Sequence, residues 1–451
     1  MLTKVTAVYK RMSDPTQGGS RVSYVDDDLM SQKIVVTSGS DETTWLACSR
    51  EEAMRKPHTT PGTGGTIVPT GRSADPAATL EITLPDERLL LHLGPRDTLA
   101  APGRFGMNYF PDMATVVLTQ TPLRALITAR NRTMLLRGRD WKHLTGAREV
   151  LSPGGRGRFD NGYVGTTGVY RHANGALYAI YYAEDHEGMP KLPLPGGTIP
   201  GFYASQGLAL STDNGESWKK LGQVITSSKP KDWVAYPGHA DRGAGESGTV
   251  ITPDGRWLYV YYTEHSHTNN RGVQICLARC RVGDQIPAPG SFFKYHNGAF
   301  DQPGIGGLDT PVVSAHADDQ AAAMYPHVIY MPALKKYVMI FSINYWKEYV
   351  HKTGLSKSGI HVAFSDDGIR WSSPRRLLID NSVPLQGQSL SWEATLVLDR
   401  EDGLEGWLLY GYSPRWGHPS TGNVPHHLVG RRARFQRLTG IDATRAEGKL
   451  Q

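Results

Sequence analysis

Cysteine is scarce, helix-period patterning is hard to find, and no run of 18 apolar residues occurs. Each absence excludes a class of protein. The 451 residues contain three cysteines, Cys48, Cys276 and Cys280. On a strand Cys276 and Cys280 share a face about 13 Å apart, beyond the reach of a disulfide. An odd, sparse count gives no disulfide framework and favours core thiols or a reducing compartment. Without a long apolar run, nothing is expected to span a membrane. The opening residues, Met1 to Lys10, lack the apolar stretch of a signal peptide, which predicts a cytoplasmic protein and leaves signal-independent export open. The net charge is +6, from 49 basic and 43 acidic residues spread along the chain. No concentrated basic stripe forms, which argues against a nucleic-acid partner. The balance is compatible with a mild preference for anionic ligands.

What is abundant is glycine (50), proline (29) and aromatic side chains (10 Trp, 21 Tyr and 10 Phe). That mixture suits many short strands joined by tight turns. Two stretches share one pattern: Ser211-Thr-Asp213-Asn-Gly215-Glu-Ser-Trp218 and Ser365-Asp-Asp367-Gly368-Ile-Arg-Trp371. Ser and Asp bond the backbone of a tight turn, and Gly takes the positive φ that the turn needs. A decayed third copy stands at Arg139-Asp140-Trp141. Recurrence implies a repeated unit.

The unit can be followed from about residue 111. Tyr163 to Tyr170, Asn174-Gly175 and Ala176 to Tyr182 form the first clear hairpin, and Gly207 to Ser211 leads into the first turn. The pattern returns at 248–277, 326–364 and 394–430, with a weaker copy at 114–144. These repeats predict an all-β propeller of four-stranded blades over 111–438, with five blades favoured and six the alternative. Residues 1–110 form an N-terminal region of accessory strands, an extra blade or a strand that closes the ring. Residues 439–451 form a tail.

The repeated turns resemble the Asp-box, S-x-D-x-G-x-x-W, of sialidase-like β-propellers. The first copy fits every position, and the second lacks one residue between Asp367 and Gly368. Glu246-Ser-Gly-Thr-Val-Ile-Thr-Pro-Asp254-Gly255 also resembles the sialidase segment in which a Glu begins an inner strand and partners a nucleophilic Tyr. The Arg expected after the next strand is replaced by Thr263-Glu264-His265, and the N-terminal Arg-Ile-Pro signature is missing. Sialic acid hydrolysis of the usual kind is therefore not expected. The blade count resembles that of five-bladed glycosidases acting on arabinose, fructose and galactose. Their pattern implies an Asp base on a first inner strand, a tuning Asp and a Glu acid on a later blade.

In a propeller the starts of the inner strands face a central funnel. Acids near those starts are Asp160, Glu246, Asp309 and Glu393, and they are the candidate catalytic groups, with Glu246 as acid and Asp160 as base or nucleophile. Glycosidic cleavage needs one carboxyl to protonate the leaving oxygen and a second group opposite it. Each acid taken singly equally fits an ion pair between blades. Tyr325, His327, His239, Arg242, Trp392, Arg415 and Trp416 are candidate substrate-binding residues. The expected partner is a carbohydrate; neither nucleic acid nor membrane is expected, and the oligomeric state is left open. No cofactor is expected, and calcium is not readable. His265 and His267 share a strand face, but no third zinc ligand follows at a diagnostic spacing. Two other functions fit the same scaffold. One is a polysaccharide lyase using Tyr325 with His327 or His239, and the other is a non-catalytic glycan-binding module.

Overall fold

Alternating aromatic and small residues, as in Leu177–Asp185 and Trp257–Glu264, produce strands buried on both faces. The computed structural model describes residues 31–37, 43–49, 78–84, 87–194, 197–232, 241–266, 273–314, 322–344, 359–372, 376–380, 390–414 and 426–438. The chain divides into Met1–Arg72 and Ser73–Gln451. In the first unit, Ser31–Thr37 pairs antiparallel with Thr43–Ser49.

The second unit is built of antiparallel four-stranded meanders, five among the described residues. The first runs Val116–Gln120, Leu123–Ala129, Arg132–Gly138, Leu144–Leu151. The second is Tyr163–Arg171, Leu177–Asp185, Phe202–Ser211, Lys219–Thr226. The third is Asp241–Ile251, Trp257–Glu264, Gln274–Arg281, Phe292–His296, extended by Ala299–Pro303. The fourth is Ala322–Met331, Lys336–Asn344, Gly359–Ser365, Arg376–Asp380. The fifth joins Leu390–Leu398, Glu405–Ser413 and His427–Arg437 to the early strands Leu89–Leu93 and Asp97–Ala100, with Leu80–Leu84 outside them. The compact unit therefore begins at Ser73, upstream of the boundary expected near residue 111, because strands before Ala101 complete the last blade.

Apolar clusters fill the seam between each pair of neighbouring blades. Leu151 and Trp218 lie between the first and second, and Val224 and Val260 between the second and third. Tyr261 and Phe341 fill the next seam, Ile340 and Tyr410 the one after, and Leu123 and Trp407 close the ring between fifth and first. Sheets packed face to face in a closed cycle make a β-propeller. Along its axis the inner strands touch. The Thr115 amide donates to Thr395 Oγ1 at 2.9 Å, and the Thr167 and Ser247 hydroxyls are 2.5 Å apart.

The three suspected turns sit at one place in their blades, between third and fourth strands. The Ser211 hydroxyl donates to Asp213 Oδ1 at 2.7 Å and accepts from the Gly215 amide at 2.8 Å. The Ser365, Asp367 and Gly368 trio repeats this at 3.0 and 2.9 Å. Gly215 and Gly368 have φ of 85° and 74°, the conformation that favours glycine. In the decayed copy Asp140 caps the amides of Lys142 and His143, and Trp141 is buried.

Candidate active site

Every inner strand carries a β-bulge. The pairing slips between Val117 and Thr119, Thr166 and Gly168, Gly245 and Ser247, Met324 and His327, and Trp392 and Thr395. A bulge inserts a residue and re-aims its side chain. In the third, fourth and fifth blades the bulges hold Glu246, Tyr325 and Glu393. Tyr325 and Glu393 have φ of 56° and 58°, a backbone region that bulky side chains avoid. Strain of this kind concentrates at functional sites.

Glu246 and Glu393 are only 5% and 3% exposed, and they belong to one electrostatic group with Asp112 and Glu184. Asp112 stands just before the first inner strand, half-buried. Its carboxyl is pushed well above the usual range, chiefly by burial. The Tyr163 hydrogen bond opposes this, and the charges of Glu184 and Glu246 add to it. Glu393 is likewise raised by burial, with Asp112 and Glu246 repelling its charged form. Glu184 ends the second strand of the second blade, where Tyr182 donates to it at 2.6 Å and His186 contacts its other oxygen.

Supporting contacts fix these acids. The Tyr163 hydroxyl lies within hydrogen-bonding distance of both Asp112 Oδ2, at 2.9 Å, and the Asp112 carbonyl oxygen, at 2.7 Å. His265 Nε2 lies 3.1 Å from Glu246 Oε2. That approach needs Gly245, because a Cβ there would lie 2.4 Å from the same nitrogen. Trp392 meets His426 edge-on at 4.0 Å between ring centroids, and burial pushes His426 down to about 3, so this imidazole is neutral. The Tyr163 and Tyr182 phenols are pushed well up, first by burial, and stay protonated.

Of the four acids expected from sequence, Glu246 and Glu393 meet in this group, whereas Asp160 and Asp309 are held elsewhere. Asp160 is buried against Lys220 of the outer strand, with the Tyr181 hydroxyl 3.3 Å away. Asp309 pairs with the fully buried Lys294 at 3.3 Å and accepts from Tyr262 at 2.9 Å. Both lie in connections, where a side chain's direction does not follow strand alternation, and both have ion-pair partners inside a blade. Asp112 and Glu184 were missed. A legible signal existed for Glu184, because Tyr181-Tyr182-Ala183-Glu184 and Tyr261-Tyr262-Thr263-Glu264 repeat one pattern at the ends of equivalent strands.

The substrate-binding candidates are scattered. Trp392 adjoins Glu393, and the buried Arg242 donates to the Lys231 carbonyl at 2.9 Å. Tyr325 packs on Val273 and Met324. His327 accepts from the Leu396 amide at 3.3 Å, and burial lowers it to about 4. His327 lines a cavity of about 470 Å³ at the opposite end of the inner strands, beside Thr249 and Thr395. That cavity is walled mainly by Val, Ile and Thr, and Glu401 is the one carboxylate among its lining residues. His239, Arg415, Trp416 and His267 lie outside the described residues. Among the described residues, no three His, Cys, Asp or Glu side chains are arranged to hold a metal ion.

No protein-family model and no curated protein matches the sequence. Solved structures do resemble the fold. A thermostable family-43 glycoside hydrolase is 14% identical, with 77% of this chain and 94% of that one covered and a TM-score of 0.44. An α-L-arabinofuranosidase from Podospora anserina in complex with cellotriose is 11% identical, with 75% and 95% covered and a TM-score of 0.45. An endo-arabinase from Bacteroides thetaiotaomicron is 10% identical, with 74% and 96% covered and a TM-score of 0.42.

Proposed function

We propose that this propeller is a glycoside hydrolase that cleaves a poly- or oligosaccharide with the carboxyls of Asp112 and Glu246. The observation that carries the reading is the convergence of Asp112, Glu246 and Glu393 from three blades into one electrostatically coupled group. A carboxyl that holds its proton can act as donor while a second carboxyl acts as its partner. Asp112 and Glu393 are the groups whose protons are held by burial. Of these, Asp112 is the more exposed, so it reaches the glycosidic oxygen. When it gives up its proton, the Tyr163 hydroxyl stabilises the carboxylate left behind. Glu246, held by His265, is the carboxylate that acts from the other side, as base or nucleophile. Sequence alone favoured Glu246 as the acid; the raised carboxyl of Asp112 supports giving that role to Asp112 instead. The charges of Glu184 and Glu246 help keep that proton in place by repelling the charged form of Asp112.

Two variants separate these roles. E246Q is expected to lose at least about a thousandfold in kcat on natural glycans and on activated aryl glycosides alike. D112N is expected to lose as much on natural glycans but far less on an aryl glycoside, whose leaving group needs no proton. Reducing-end assays on a panel of neutral glycans give the first readout, and release of the aryl alcohol gives the second. Full activity of E246Q would overturn the assignment.

A further inference from the structure

Two His–Glu pairs, the half-buried His186 with Glu184 and the buried His265 with Glu246, flank one half-buried apolar ring, Phe202. Phe202 begins the third strand of the second blade, where it pairs in parallel with Asp241. Its ring centroid lies 6.4 Å from His186, 6.1 Å from His265 and 6.4 Å from Tyr182. The two latter contacts are edge-on, at 89° and 90°. It packs on Met113, next to Asp112, and on Tyr163. Phe202 is thus a partly exposed aromatic surface in a wall otherwise made of carboxyls, imidazoles and phenols.

Resting on the hydrolase reading above, we infer that Phe202 is the platform on which the C–H face of a neutral sugar ring stacks beside Asp112 and Glu246. A sugar offers hydroxyls around its rim and C–H bonds on its face. Hydrogen-bonding groups at the edges and an aromatic face below match both, as in ligand sites generally. The neutrality of the sugar follows from charge. Glu184 and Glu246 already repel the charged form of Asp112, and a sugar carboxylate brought beside Asp112 meets the same repulsion.

Binding and turnover are measured separately on the full chain. Neutral arabino-, xylo- and cello-oligosaccharides and oligogalacturonates are titrated calorimetrically into E246Q, with and without F202A. Their cleavage is followed with the chain otherwise unaltered, alongside F202A, F202L and F202W. F202A is expected to weaken binding of the neutral ligand about tenfold and to raise KM similarly. F202W should stay within about threefold, F202L should fall between, and oligogalacturonates should not bind. The pH profile of kcat/KM should keep its shape in all of them, because a stacked sugar is no part of the two His–Glu pairs. Unchanged binding in F202A overturns the inference, as does a shifted pH profile with KM unchanged, which would make Phe202 a spacer between the histidines. Preferential binding of oligogalacturonates overturns its charge argument. Binding that depends on Phe202 without any product would retain the platform and sink the hydrolase reading, while no binding of any ligand would sink both.

Discussion

At the scale of single residues, Asp112 and Glu393 are sites where stability and reactivity oppose each other. Both carboxyls are raised by burial and by neighbouring negative charge. A raised carboxyl binds its proton more tightly in the folded than in the unfolded chain, so its contribution is complete below the ordinary carboxylate range, near pH 4. That contribution is lost as pH rises through the folded values. The protein is therefore expected to melt lower at pH 7 than at pH 4 as far as these groups decide. In E393Q one such group no longer titrates, and the difference in Tm between the two pH values should narrow by about 2–4 °C. Thermal melts at both pH values check this, and an unchanged difference would mean that Glu393 is ionised in the folded protein. Activity should fall on the alkaline side as Asp112 loses its proton, with the limb shifted to lower pH in E184Q, where one of the charges that raise Asp112 is gone.

At the scale of elements, the repeated turns serve the ring and not the chemistry. Glu216, inside the first turn, accepts from Arg124 at 2.6 Å and Arg137 at 2.5 Å and also from Arg148. These arginines belong to the first blade and Glu216 to the second, so the turn clasps its neighbour across the seam. Hydrogen bonds from Arg148 and Arg137 hold the Glu216 carboxyl down at about 2. A lowered carboxyl contributes its full stability above its unfolded pKa and loses it as pH falls from there through the folded value of about 2. The carboxylate is about a third exposed, so screening limits the network to about 1 kcal/mol. E216Q should lower Tm by about 2–4 °C at pH 7 in low salt, less at high salt, and leave kcat unchanged. A lowered kcat would mean that the seam transmits to the site.

The same scale shows what could be read beforehand. The turns, the hairpins and the inner-strand acids Glu246 and Glu393 were legible because they follow local rules of turn chemistry and strand order. Asp112 was not, because it precedes the weakest repeat and lies in no alternating run. The pairing of Asp160 with Lys220 and of Asp309 with Lys294 was not legible either, because burial against a lysine leaves no mark in spacing. The bulges at Glu246 and Glu393 are set by cross-strand pairing, which a single strand's pattern does not contain.

At the scale of the whole molecule, the ring is closed by joining the two ends of the second unit. Leu89–Leu93 pairs with Ala433 to Arg437, and Asp97–Ala100 pairs with Leu428 to Gly430. Buried Leu84, Leu89, Leu91 and Leu93 fill the seam with Val429 and Phe435. The fully buried Arg431 donates to the carbonyls of Ala78 and Gly94 at 2.8 and 2.7 Å and to Tyr410 at 3.0 Å. Loss of these strands exposes a long sheet edge and takes two backbone acceptors from a buried guanidinium, each of which is costly. The fifth blade carries Glu393, so closure also positions the site. A chain beginning at Ser73 retains every one of these contacts, and it should melt within about 2 °C of the full chain and cleave the same glycans. A chain beginning at Ala101 loses all of them except the Arg431–Tyr410 hydrogen bond, and it should show no cooperative melting transition and no turnover. Should the shorter chain melt cooperatively with its kcat intact, the four remaining blades and three-stranded fifth would suffice, and the early strands would be ornament to the ring instead of its closure.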